Sequence, residues 1–116
     1  MRYSNNQFAA LRKSTGDLCE QGRQLILKQD YGGAEAKFKR ALKSWRDQSA
    51  PRAEEGGLVT ALGKCYEAQR KYEQAYELYM ESLKHLTGAA YDEVYTSFVY
   101  LNERMGSFTK KETENF

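Results

Sequence analysis

Apolar and small residues in this chain recur at intervals of three and four, the spacing that gathers side chains on one face of an α-helix. Leu18, Gln21, Gly22 and Leu25 form one such stripe. It stops at a polar break, Lys28-Gln29-Asp30, and after Tyr31 a second stripe runs through Ala34, Phe38, Ala41, Leu42 and Trp45. The pattern returns 41 positions later: Val59, Gly63 and Tyr66, the break Gln69-Arg70-Lys71, then Tyr72, Ala75, Tyr79, Ser82, Leu83 and Leu86. The small Gly of the first stripe lets another helix approach closely, and on the second stripe a small residue faces the partner helix while an aromatic fills the space beside it, so each copy is predicted to be a helix hairpin.

The hairpins are expected over 15–48 and 49–89. Phe8 and Leu11 prolong the first stripe backwards, which makes 1–14 a helical extension. The stretch Ser49-Ala50-Pro51-Arg52-Ala53-Glu54-Glu55 has Pro at a first-turn position and acids behind it, the signals of a helix that starts early. The first helix of the second unit is therefore expected to be lengthened. Tyr91, Tyr95, Phe98, Leu101 and Met105 predict a capping helix in 90–108 that ends at a turn over Gly106-Ser107-Phe108, and 109–116 reads as a polar tail.

The residues Gly22, Leu25, Tyr31, Ala34, Phe38, Ala41 and Leu42, with Gly63, Tyr66, Tyr72, Ala75, Tyr79, Ser82 and Leu83, resemble the tetratricopeptide repeat. The lengthened spacing is similar to that of kinesin light chain-type adaptors. Leu25 stands in place of the usual aromatic, Gln21 in place of an apolar residue and Ser82 in place of Ala, and neither copy ends in the usual Pro. The resemblance implies an all-α fold, an α-solenoid of antiparallel helix hairpins with about two and a half units. It also implies a concave groove that receives a peptide or helix of a protein partner, acidic in character if the basic groove residues are used. Carried over position by position, the groove residues are Cys19, Arg23, Ile26 and Leu27, then Thr60, Lys64, Glu67 and Ala68, and in the third unit Thr96, Tyr100 and Glu103. Arg23 and Lys64 share a repeat position and are the expected polar contacts. Grip on the acidic tails of heat-shock chaperones is not expected: Cys19, Arg23, Ala61, Glu93 and Ser97 occupy the places where that branch carries lysine, asparagine and basic residues. The rival reading is a constitutive structural subunit of a larger assembly, docked through its ends or convex face, and open repeat ends also permit self-association.

Composition agrees with helices throughout. Ala, Leu, Glu, Lys, Gln, Arg and Met supply 63 of the 116 residues, and Val and Ile only four. The formal charge of +2 comes from interleaved signs, which gives no clustered basic surface for nucleic acid. No apolar run approaches the roughly 20 residues of a membrane span, and the first residues lack a signal-peptide pattern, so a cytoplasmic protein without membrane insertion is expected. His85 is the one histidine and is expected near a helix end. Cys19 and Cys65 fit as buried thiols, and Trp45 as a staple of the long hairpin. With no phosphate loop and no base placed beside a nucleophile, neither an enzyme, a metal site nor a cofactor is expected. Of the aromatics on the third helix, Tyr95 and Phe98 are assigned to the core, and Tyr91 and Tyr100 to a surface that meets a partner.

Overall fold

A computed structural model describes residues 7–114 of the chain, and the side chains of residues 7–106. Its elements are α1 (Ala9–Leu27), α2 (Tyr31–Asp47), a 3-10 turn (Arg52–Glu54), α3 (Gly56–Ala68), α4 (Tyr72–Leu83) and α5 (Gly88–Glu114). The fold is all-helical, with no strand among the described residues. Each helix packs on the next, and α3 packs on α5 as well.

The 41-residue repeat of the sequence is a repeat of geometry. Helices α1 and α3 end at positions 41 apart, α2 and α4 begin 41 apart, and the turns between them are built alike. Gln29 and Arg70 both take a left-handed conformation, φ 62°, that stops the helix. Behind each, a backbone N–H closes the turn: Asp30 donates to the Leu25 carbonyl and Lys71 to the Tyr66 carbonyl, both at 2.8 Å. In the first turn the Asp30 carboxylate also accepts from the Gly33 N–H at 2.9 Å and caps α2.

Two glycines set how closely the helices of each pair approach. A Cβ on Gly22 would stand 2.7 Å from Cζ of Phe38, and one on Gly63 would strike the ring of Tyr79. Both rings are fully buried, beside Ala34, Ala41 and Ala75, which are also fully buried. Here glycine's missing side chain, rather than its backbone freedom, is what the packing requires.

The residues between the repeats do something other than lengthen α3. They extend α2 to Asp47 and then form the 3-10 turn, so α3 starts only at Gly56 and is 13 residues long. Pro51 precedes the short turn, and its carbonyl accepts the Trp45 indole N–H at 2.8 Å. Trp45 is a buried staple, with Phe8 and the Arg12 guanidinium packed on its ring. Glu55 ends this connection with its side chain 1% exposed, and a carboxylate so placed needs charged partners. It has two: Arg46 at 2.8 Å and Arg52 at 2.9 Å, and Arg52 in turn binds Glu81 of α4 at 2.6 Å. Glu35 of α2 accepts from Gln69 and Lys71 in the second turn. The hairpins are thus joined by packing and by two ion networks.

The last unit differs more from expectation. Helix α5 runs through Gly106-Ser107-Phe108 without a turn and reaches Glu114, so 109–114 are helical and not a tail; Asn115 and Phe116 lie outside the described residues. Its buried positions are Val94 and Leu101, with Phe98 set against Tyr76 of α4 at 5.3 Å. Tyr95 is not in the core but 47% exposed. Ala90 explains the rotation: it meets α3 at Gly56, where a Cβ would come within 2.8 Å of the alanine methyl, and this contact turns the small residue inward and the tyrosines outward.

Replacing Gly63 by Ala should destabilise the protein by roughly 1–3 kcal/mol, because the Tyr79 ring must move off the helix. Gly16→Ala, in a helix interior with nothing within 4 Å, should instead stabilise by about 0.5–1 kcal/mol. Thermal melts of the two variants distinguish notch from propensity.

The ion networks set the behaviour in acid. Hydrogen bonding from Arg12 holds the Glu54 carboxyl below its ordinary value. Burial pushes Glu35 and Glu81 upward, but hydrogen bonds from Gln69 and Lys71, and from Arg52 with the charge of Arg46, outweigh it and leave both lowered. Carboxyls lowered by folding contribute stability above their unfolded value, roughly 4.3, and that contribution disappears as the pH falls through the folded values. The melting temperature should therefore fall below about pH 4.3, and less steeply in Glu81→Gln than in the wild type.

Candidate functional site

Two open clefts flank α3, one against α1 and one against α5. The α3–α5 cleft has a volume of about 450 Å³ and is lined by Lys64, Glu67 and Ala68 from α3 with Thr96, Ser97, Tyr100 and Arg104 from α5. The α1–α3 cleft, about 310 Å³, contains Cys19 and Arg23 on its α1 side and Gly57, Leu58 and Ala61 on its α3 side, over a floor of Phe38 and Trp45. Helical spacing brings these residues together: Gly57, Ala61, Lys64 and Ala68 follow at four, three and four positions and form one stripe of α3 that borders both clefts, with Leu58 turned to the α1 side and Glu67 to the α5 side.

Lys64, Glu67, Thr96 and Tyr100, picked from the sequence as groove residues, meet in one cleft. Tyr100 is 64% exposed, and Lys64 makes no ion pair among the described residues. Glu67 is mostly buried and already engaged, accepting from the Tyr79 hydroxyl at 2.9 Å and facing Arg104 at 3.4 Å. Burial, then the hydrogen bond to and the charge of Glu67, pushes the Tyr79 hydroxyl far above its ordinary value and keeps it a donor. The aromatic that fills the Gly63 notch thereby also orients an acid at the cleft wall.

The remaining candidates are placed differently. Arg23 lies in the other cleft, paired with Glu20 at 3.1 Å, so it and Lys64 do not share a binding pocket. Ile26 is half-buried and packs on the core, while Leu27, the last residue of α1, is 77% exposed and lines neither cleft. Thr60 is buried, one turn beyond the Gly56–Ala90 contact, and has no surface to offer a partner. Its hydroxyl has no hydrogen-bond partner among the described residues. Arg104 and Ser97 were missed. Thr96, Tyr100 and Arg104 are four apart, and this spacing was the available signal for the arginine. Arg12 and Glu54, paired at 2.9 Å across 42 residues, rim the α1–α3 cleft and carry no comparable signal.

Among the described residues no group of three His, Cys, Asp or Glu could hold a metal ion, and no helix is long and apolar enough to cross a membrane. His85 is exposed in the turn after α4. No family model matches the chain, and neither a curated protein nor a solved structure matches it.

The two thiols differ in access. Burial pushes the Cys65 thiol up to about 11, with the charge of Glu35 adding to the effect, while Cys19 is half-buried and raised by burial against the opposing charge of Arg23. A thiolate is the reactive form. Ellman's reagent at neutral pH should label Cys19 first and reach Cys65 only on unfolding, and a mass spectrum after partial labelling reads out the order.

Proposed function

We propose that this chain is a non-enzymatic interaction module, a short solenoid of tetratricopeptide-like hairpins that binds a peptide or helix of a partner protein along the clefts beside α3. The observation that carries this reading is the pair of clefts itself. They lie between successive first helices of hairpins built on the same Gly–aromatic notch and the same turn, which is how a repeat fold makes one continuous groove. The chemistry of the walls supports a peptide ligand: an exposed tyrosine offers stiff contact area, and an unpaired lysine beside Arg104 favours an acidic side chain. The rival, a permanent subunit of a larger assembly, draws on the exposed aromatics of α5.

A peptide selected on the full chain from a random display library provides the ligand. Tyr100→Ala and Lys64→Glu should each weaken its binding about tenfold or more, measured by isothermal titration, which corresponds to ~1.4 kcal/mol or more of lost contact. Leu27→Ala, outside both clefts, should leave it unchanged. Binding that survives both cleft variants at full strength overturns the groove.

A further inference from the structure

The charge of the chain is divided along its length. Residues 7–50 carry nine Lys and Arg against five Asp and Glu, whereas residues 51–106 carry six against nine. The exposed apolar residues are divided too. Of the large apolar side chains that remain exposed, Tyr91, Tyr95, Val99 and Tyr100 all lie on α5, and only Leu27 and Met80 lie elsewhere among the described residues. Tyr91 and Tyr95 stack on each other at 5.8 Å and form one block at the start of the helix. Asp92 sits beside that block, exposed and without an ion pair among the described residues.

The opposite surface lies on the other side of α3, away from the groove. There a shallow cleft of about 570 Å³ has a floor of Leu42, Leu62, Tyr66 and Leu78. Its rim carries Lys39, Arg40, Lys43 and Arg46 with the acid Asp47; Arg46 is taken up by Glu55 and Glu81, and Lys39 faces Glu35 at 3.7 Å. Arg40 makes no ion pair among the described residues, and Lys43 reaches only Asp47 of its own helix.

We propose that a second copy of this chain docks head to tail, with the Tyr91–Tyr95 block of α5 in one copy seated in the basic-rimmed cleft between α2 and α4 of the next. The aromatic block covers the apolar floor, and Asp92 meets the cationic rim. Pairing of two α5 helices face to face is disfavoured, because it sets Asp92 of one copy against the same acid of the other. A contact between two different patches is heterologous and so propagates beyond a dimer unless its rotation closes a ring. It uses neither cleft of the groove and does not depend on peptide binding.

Sedimentation velocity of the full chain, from micromolar to millimolar concentration and at low and high salt, tests this with two charge-swap variants. One is Asp92→Lys, the other Lys39→Glu with Lys43→Glu, and circular dichroism checks that each keeps its helicity. The wild type should associate with rising concentration, less so at high salt. Each variant alone should sediment as a monomer, and an equimolar mixture should associate again as alternating copies, because the swapped helix of one variant meets the swapped cleft of the other and the two unswapped patches meet as in the wild type. A wild type that stays monomeric at every concentration overturns the proposal. So does a mixture that fails to pair, or variants that associate as the wild type does, which would locate self-association on another face.

Discussion

An aromatic ring resting directly on a helix backbone sets the spacing on which everything else here depends. Gly22 and Gly63 open notches that Phe38 and Tyr79 fill, and the missing side chains are what allow antiparallel helices to lie at that distance. A glycine inside a helix costs roughly 0.5–1 kcal/mol relative to alanine, and full burial of a large aromatic side chain more than offsets it. With the hairpins fixed in this way, the short helix α3 falls between two longer ones, and both of its flanks become cleft walls. Tyr79 shows how one residue serves packing and site together, since its ring fills the notch while its hydroxyl holds Glu67.

The hairpins are then locked by charge at a place where charge is costly. Glu55 is buried at the junction of α2 and α3 and is matched by two arginines, both of which continue to Glu81. Removing either partner of a buried pair costs more than the pair contributes to stability, so such a cluster defines one arrangement of the two units rather than strengthening any arrangement. Lys71 and Gln69 on Glu35 do the same at the hairpin tips. These contacts leave the outer face of α2 crowded with cations that the core does not use.

The repeat was legible in the sequence because its signal is periodic: residues 41 apart that must fill equivalent notches and close equivalent turns keep like size and polarity. Gly22 and Gly63 could be read as points of close approach and Phe38 and Tyr79 as the aromatics that fill the space between helices, and Lys64, Glu67, Thr96 and Tyr100 could be assigned to one groove. What could not be read was aperiodic. The path from Ser49 to Glu55 carries helix-start signals, yet Trp45 bonded to Pro51 and Glu55 bonded to two arginines hold it in a short turn instead. The rotation of α5 depends on Ala90 meeting Gly56, a contact between residues 34 positions apart whose small size leaves no mark in a hydrophobic stripe. Thr60 fails as a groove residue because it is buried, which its place in the repeat did not disclose.

The order of helices has a consequence for how the chain comes to be folded. Every ion pair described joins residues no more than 42 positions apart, and each helix packs on the one made just before it. Contacts of such short range close small loops and form quickly. As the chain leaves the ribosome, the first hairpin can close once Trp45 and Pro51 have emerged, before α4 and α5 follow them out. Assembly can then advance one helix at a time, with each new helix landing on a surface already in place.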